Sequence, residues 1–438
     1  MSDGAPGDRR RSAGALLRRI ALDFSPLRAS RDFRLIEAGQ VVSGIGSQIA
    51  LVALPTQIFL LSHSAALVGL LGLFELGPMV VASLFGGAIV DRVDRRNVLI
   101  VAQFMAIAAA GALAAVTLTK HPSAIVILIL GGLLAGTSAL DNVTRAAIVP
   151  RVVPADRLRS ALAFNYGAYQ LTGIVGPAIG GILIATIGLG ESYLVDAASC
   201  LAMLGSAIAL SAQPPVDAAG ALAARQPILK SIAEGLRFVR RNQALSGSFA
   251  IDLVAMTFGW PRSMFAVLSL TVYHSGSRGT GLLFAALAVG GTLSVLTAGW
   301  IEHARRLGRI VIVVVVVWGA AIAGTGLVRS LGPAMALLVV AGFADGVSAV
   351  CRSSINQTVT PDGLRGRMSA VYTLVVTGGP RVGDIESGVV AGATSAVTSV
   401  LTGGLACIVG AFAVAFSFPA LVRYGEEPPD ASLEPATE

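Results

Sequence analysis

Charge is scarce in this chain: 13% of its 438 residues are Asp, Glu, Lys or Arg, roughly half the ~25% of a soluble globular domain. That excludes a chain whose main solvent is water. Lysine is almost missing, with two residues against 30 arginines, a bias that together with the many alanines suggests a GC-rich bacterial genome. Cysteine is limited to Cys200, Cys351 and Cys407, all in or at the ends of apolar runs, so no disulfide framework is implied. The four histidines, His63, His121, His274 and His303, are too scattered to hold a metal, and none is expected. There is no glycine-rich phosphate loop, nucleophile elbow or triad. ATP drive and enzymatic chemistry are therefore not expected, nor is any cofactor. The first 33 residues carry arginines but no apolar core or cleavage site, so the first apolar run is expected to direct insertion itself.

What the chain does have is long apolar runs. Crossing a bilayer takes about 20 consecutive apolar residues, and twelve stretches qualify: 34–61, 65–90, 98–118, 124–147, 161–187, 193–212, 245–272, 280–301, 310–328, 334–350, 368–396 and 399–421. The seventh and eleventh carry internal charge. Twelve spans return both ends to one side, and the expected fold class is an all-α membrane protein with twelve transmembrane helices. The net charge of +7 could suggest nucleic acid, but its placement argues otherwise. With both termini in the cytoplasm, all but five of the 32 basic residues lie on the cytoplasmic side, the exceptions being Lys120, Arg262, Arg278, Arg329 and Arg381. This is the positive-inside pattern of a plasma-membrane protein, and the expected partners of these arginines are lipid headgroups rather than nucleic acid.

After the sixth run comes a Pro- and Ala-rich stretch, followed by PILKSIAEGLRFVRRNQ. Ile228, Leu229, Ile232, Leu236 and Val239 recur there at helical spacing. A short amphipathic helix at the cytoplasmic interface is expected. The organisation is then a cytoplasmic segment 1–33, a six-helix bundle 34–212, a linker 213–243, a second bundle 244–422 and a tail 423–438. An offset of 206 residues aligns Ala135 with Ala341, Gly136 with Gly342, Asp156 with Asp362, Leu158 with Leu364, Arg159 with Arg365, Tyr166 with Tyr372 and Gly173 with Gly379. The shared D-x-L-R in corresponding loops is the least accidental of these matches. Parallel six-span repeats are one architecture of secondary transporters, with the substrate between them near mid-membrane.

Five charges crowd the loop between runs two and three. Gly87, Asp91, Arg92, Arg95 and Arg96 fit G-x-x-x-D-R-x-x-R-R, which resembles the signature loop of the major facilitator superfamily. ALPTQIF, DRVDRRNVL, IVPRVVPADRL, GPAIGGIL, EGLRFVRRNQAL and DIESGVVAG resemble, more narrowly, the branch of enterobactin exporters and bacterial drug and macrolide efflux proteins. The resemblance covers essentially the whole chain. It implies two pseudo-symmetric six-helix bundles. It also implies that Asp91 holds a cytoplasmic gate shut when the cavity opens outward, with Gly87 letting span two approach a neighbour closely. A solvated turn that only sets topology is the plainer reading of the same residues. The usual loop has Gly where Asp94 stands, and the second-half copy, ARRLGR at 304–309, lacks the Asp. In span five, Gly176, Pro177, Gly180 and Gly181 partly match a motif of proton-coupled exporters, with Thr172 where that motif has Gly. A packing kink is the alternative there.

A charge near a helix centre costs at least ~2.5–3.5 kcal/mol, so it must face protein or a watery cavity. At about 100° per residue, Glu37, Gln40, Gly44, Ser47 and Gln48 share an arc of span one. Thr137, Asp141, Thr144 and Arg145 do so in span four, Asp252, Gly259, Arg262 and Ser263 in span seven, and Asp345, Ser348, Arg352 and Asn356 in span ten. The resemblance implies that these four spans line the cavity. Expected cavity residues are Gln40, Ser47, Gln48, Arg145, Trp260, Arg352 and Arg381. Expected proton carriers are Asp345, Asp384, Asp141, Glu37 and Asp252; a buried ion pair is the structural alternative for most of them, and an interfacial position for Glu37. Asp345 leads, because it sits about eleven residues, or ~16 Å, into span ten with no fixed partner in reach. The functional expectation is a monomeric, proton-driven exporter of an amphipathic organic molecule such as a siderophore or drug. A proton-coupled importer and a non-transporting sensor or lipid scaffold are the rivals.

Overall fold

The computed structural model of the protein describes residues 24–215 and 228–425; the expectations for residues 1–23, 216–227 and 426–438 lie outside the described residues. The first six spans are α1 (Arg31–Ser62), α2 (Ala65–Val90), α3 (Arg95–Thr117), α4 (Ala124–Val152), α5 (Leu158–Ile187) and α6 (Leu189–Ala209). The seventh is two helices, α7a (Gln243–Phe258) and α7b (Met264–Thr271). Then come α8 (Gly276–Thr297), α9 (Leu307–Leu327), α10 (Leu331–Val359), α11 (Arg365–Ala393) and α12 (Ala396–Ser417). Ten of these are long and apolar enough to cross a membrane. The broken seventh and the charged eleventh are the two that fall short; the seventh carries Asp252 and Arg262, and the eleventh Arg381, Asp384 and Glu386. Short polar residues start several helices. Ser30 accepts the Phe33 amide at 3.1 Å, Ser64 that of Leu67 at 3.4 Å and Ser395 that of Thr398 at 3.1 Å, each satisfying an otherwise orphaned donor. The two-residue turn from α1 to α2 is made by His63 in the left-handed region, φ 51°.

Helix pairing exposes the repeat. In the first half α1 packs on α5 and α6, α2 on α4, and α3 on α4 and α6; in the second, α7a packs on α11 and α12, α8 on α10, and α9 on α10 and α12. The same exchange relates the two seams that join the halves, α2 with α11 and α5 with α8. One buried cluster, including Ile58, Leu113, Ile127, Trp318, Leu338 and Val400, runs through both halves. The seams close where side chains vanish: Gly69 lies on Gly388, and Gly181 on Gly281. All four are near the helix ends on the His63 side of the bundle. Toward the other side, the Asp91 face, a cavity lies between the halves, lined as far as Arg145, Val295 and Val350.

The linker helix, Ile228–Arg241, is docked rather than free. Val239 is buried with Leu245, Phe249, Met368 and Val371, and Glu234 pairs with Arg367 of α11 at 3.1 Å. Side chains of residues 228–232 lie outside the described residues.

Close helix contact makes a stability prediction. An added Cβ at Gly342 of α10 would strike the Leu287 carbonyl of α8, whereas one at Gly111 meets nothing within 4 Å. Gly342→Val should cost about 1–3 kcal/mol, while Gly111→Ala should hold or gain up to ~1 kcal/mol. Thermal unfolding of the detergent-purified protein distinguishes the two.

Candidate substrate cavity

Between the halves lies a cavity of about 600 Å³, within the ordinary range for small-molecule sites. Gln40, Ser47 and Gln48 of α1, Asp141 and Arg145 of α4, Trp260 from the break in span seven, Asp345 of α10 and Arg381 of α11 all face it. Of the helical-wheel arcs, Gln40, Gly44, Ser47, Gln48, Asp141, Arg145, Arg262 and Asp345 line the cavity, while Glu37, Thr137, Thr144, Asp252, Gly259, Ser263, Ser348, Arg352 and Asn356 do not. The arcs missed α5 and α8, which add Tyr166, Tyr169, Gln170, Pro177 and Phe284. The two tyrosines and Trp260 supply amphipathic ring surface, and the glutamines supply hydrogen-bonding amides.

The break in span seven has a local cause. Pro261 cannot donate an amide hydrogen, and it follows Gly259 and Trp260. Inside a membrane the freed backbone groups must find partners within the protein, and both ends of the break do. The Trp318 indole donates to the Gly259 carbonyl at 2.7 Å. At the start of α7b the Ser263 amide donates to Asp384 Oδ1 at 2.9 Å, placing a carboxylate at a helix N-terminus, where it is favoured. Asp384 therefore sits just behind the cavity floor rather than on its wall. Arg262, in the break itself, lines the cavity and stacks over Trp260 at 5.4 Å.

The other acidic residues divide sharply. Asp141 takes hydrogen bonds from Gln103 (2.9 Å) and from Arg145 (2.7 Å), and Arg145 also binds Asn142 (2.7 Å). Glu37 is 2% exposed and accepts from Asn165 at 2.8 Å; the same amide reaches Gln40 at 2.9 Å. Asp252 pairs with Arg352. Both are buried between α7a and α10, and neither lines the cavity. The cavity role expected for Arg352 is thus corrected: the shared wheel face points it at a neighbouring helix. Glu75 of α2 pairs with Arg381 at 3.1 Å. Asp345 differs from all of these. Among the described residues it forms no hydrogen bond or ion pair, and its Oδ1 is buried without a partner.

The Asp91 loop is tied to the first half. Asp91 ends α2 and lies 3.9 Å from Arg95. Arg96 donates to the Ala207 and Ile208 carbonyls at the end of α6 (3.3 and 2.5 Å), while Arg92 is exposed. Asp94 has a purpose that its substitution for Gly did not reveal. It caps α3 through the Arg96 amide (2.9 Å) and accepts the Gln213 amide (3.1 Å). The expectation for Gly87 is corrected as well: a Cβ there would meet nothing within 4 Å, and it is Gly86 that faces Leu140 of α4. In α5 the glycines divide by direction. Gly176 and Gly180 lie on Gln48 and Ile49 of α1, whereas Gly181 lies on α8.

The Asp252–Arg352 pair tests what a buried ion pair contributes. Asp252→Asn leaves Arg352 uncompensated and should cost roughly 3–5 kcal/mol, whereas Asp252→Leu with Arg352→Met should be near neutral or stabilising. Thermal unfolding of the three proteins checks this.

Comparison with known proteins agrees with this architecture. Residues 21–433 match the family described as transmembrane secretion effector. The enterobactin exporter of Citrobacter koseri is 25% identical over 408 residues, covering 93% of this chain and 97% of its own. The enterobactin exporter of Escherichia coli is 26% identical with the same coverage. Among solved structures, the nucleoside transporter NupG has a TM-score of 0.72 at 13% identity, covering 89% of this chain and all of its own. A bacterial homologue of the human lysosomal transporter Spinster, in an inward-facing and unoccupied conformation, has a TM-score of 0.69 at 16% identity, covering 91% and 98%. At such identities the structures speak to the fold alone. The sequence match spans nearly the whole chain, and the paired six-helix halves enclosing a cavity are what it requires: this multi-pass membrane protein is a transporter, not an enzyme, and it belongs to the transmembrane secretion effector family of the major facilitator superfamily.

Proposed function

We propose that this transporter is a proton-coupled exporter of an amphipathic organic molecule, a siderophore or a drug, working as a monomer in the bacterial plasma membrane with both termini and the Asp91 face in the cytoplasm. The observation that carries the proposal is Asp345, an unpartnered carboxylate on the wall of a cavity that opens toward the Asp91 face. A carboxylate without a permanent cation can exchange a proton with the water of the cavity, and its charge then depends on which side that water comes from. The exporter names of the relatives and the arginine-rich loops on one side support the direction and the orientation. One proton returning down about 100 mV supplies ~2.3 kcal/mol, which sustains roughly fiftyfold accumulation. The signature loop supports a gate on the Asp91 face: Asp91 lies beside Arg95 of α3, and Arg96 bonds to the end of α6.

Two outcomes test this reading. In proteoliposomes with an imposed pH gradient, Asp345→Asn should abolish proton-driven accumulation while substrate–substrate exchange continues, and a pH dye should show no substrate-induced proton movement. Wild-type proton flux in that variant transfers the carrier role to Asp384 or Asp141. A protein that moves no solute under any gradient is the sensor or scaffold instead, and net accumulation inside cells identifies an importer. Asp91→Asn should insert and express normally but transport at least several-fold more slowly, as measured by efflux from intact cells.

A further inference from the structure

The cavity floor is made by an ion pair between the two halves. Glu75 lies eleven residues into α2, in the first half, and Arg381 lies near the middle of α11, in the second. They meet at 3.1 Å, with side chains 13% and 18% exposed. Arg381 faces the large cavity, and Glu75 faces a small cleft beneath it shared with Arg262, Ser263 and Asp384. The backbone is shaped to allow the meeting. Gly72 lies against the Arg381 carbonyl, where a Cβ would come within 2.6 Å, and one turn further out Gly69 lies on Gly388. Of the ion pairs within the spans, Asp141–Arg145 stays inside α4 and Asp252–Arg352 inside the second half; Glu75–Arg381 joins the halves.

The twin seam is chemically different. Between α5 and α8, Gly281 lies on the Pro177 carbonyl and on Gly181, and the Ser277 hydroxyl donates to the Gly181 carbonyl at 3.2 Å. No ion pair crosses that seam among the described residues. One seam is therefore backbone packing with neutral hydrogen bonds, Gln170 to Thr292 at 3.5 Å and Ser277 to Gly181, and the other carries a charged contact that is made or broken. We propose that Glu75 and Arg381 form a latch that locks α2 to α11 and seals the His63 side of the cavity. The other charged groups facing Glu75 are Arg262 from the span-seven break and Asp384 from α11; α1 and α8 contribute only Leu51, Leu54, Pro55 and Phe284. Asp384 is already engaged by the Ser263 amide. When the halves rock apart on this side, Glu75 and Arg381 separate into water, where each is solvated. When they close, each would be buried alone unless the other is present and charged.

The latch rests on the transporter reading but not on direction or coupling ion, so it is tested without substrate. Spin labels at Thr119→Cys and Arg329→Cys, both exposed on the His63 side, report the gap between the halves by double electron–electron resonance in detergent; the native cysteines are buried. The parent should give a short-distance population. Glu75→Gln and Arg381→Gln should each raise the open-to-sealed ratio about tenfold, equivalent to ~1.4 kcal/mol. The neutral double variant Glu75→Gln/Arg381→Gln, which leaves no lone charge to threaten folding, should open similarly. The reversed pair Glu75→Arg/Arg381→Glu should close again. Unchanged distances in the neutral double variant overturn the latch. So does opening in the neutral variants that the reversed pair fails to undo. Solute movement is read separately in vesicles, so a protein that transports nothing and a floor that has no latch are distinguishable results.

Discussion

In hydrocarbon no polar group can turn to water, and each intramembrane charge or broken backbone bond must be answered from within the protein. This bundle shows the answers one at a time. Arg352 is answered by Asp252, Arg381 by Glu75 and Arg145 by Asp141. The gap between α7a and α7b is answered by the Trp318 indole and by Asp384. Apart from Asp141–Arg145, which stays within α4, these partners sit on different helices, and satisfying them fixes which helices touch. Asp252–Arg352 sets α7a on α10, and Asp384–Ser263 sets α11 on the span-seven break. The helix arrangement and the electrostatic arrangement are one constraint solved once. Some groups are left unanswered: Asp345 on the cavity wall, Arg262 held over Trp260 with its Nε unpaired, and Asp196 of α6, buried with neither carboxylate oxygen bonded among the described residues.

How much of this was legible in the sequence depends on whether the signal is local. Apolar runs are local, and so the spans could be drawn from composition to within about five residues of the helix ends, except that the tenth was ended at 350 where the polar last turns of α10 continue to Val359. The D-x-L-R repeat and the Asp91 loop are local too, and they carried the superfamily. A helical wheel is also local, but it reports a direction and not what lies there. Asp345 and Arg352 share a face of α10 two turns apart. The first meets the cavity and the second meets α7a, because neighbouring helices converge toward one end of the bundle and part toward the other. No single-helix pattern contains that convergence. The same blindness applied to Gly87, where a glycine suggested close approach and the structure places open space, while Gly86 one step round the helix takes the contact.

The break in span seven was written in Gly259, Trp260 and Pro261, but an intramembrane proline alone did not require it. Pro55, Pro78, Pro150, Pro177 and Pro380 all lie inside unbroken helices. What distinguishes Pro261 is that acceptors and donors for the freed backbone arrive from α9 and α11, far away in sequence. A helix breaks in a membrane where its neighbours can bind the broken ends. The propensity is local, but the permission is tertiary.

The two seams extend this reasoning to motion. They are equivalent in helix pairing, as a duplicated six-helix unit requires, and they use the same device of glycine against glycine to bring backbones together. Their charges are not duplicated. The α5–α8 seam holds a proline carbonyl, the small residues Gly181, Ser277 and Gly281, and a neutral hydrogen bond from Gln170 to Thr292. The α2–α11 seam holds a guanidinium and a carboxylate, whose attraction falls steeply once water enters between them. A pseudo-symmetric frame with unlike seams can keep contact along one while the other opens. In this chain the divergence of two copies at a few charged positions, rather than any difference in fold, would turn a symmetric pair of bundles into a pivot and a clasp.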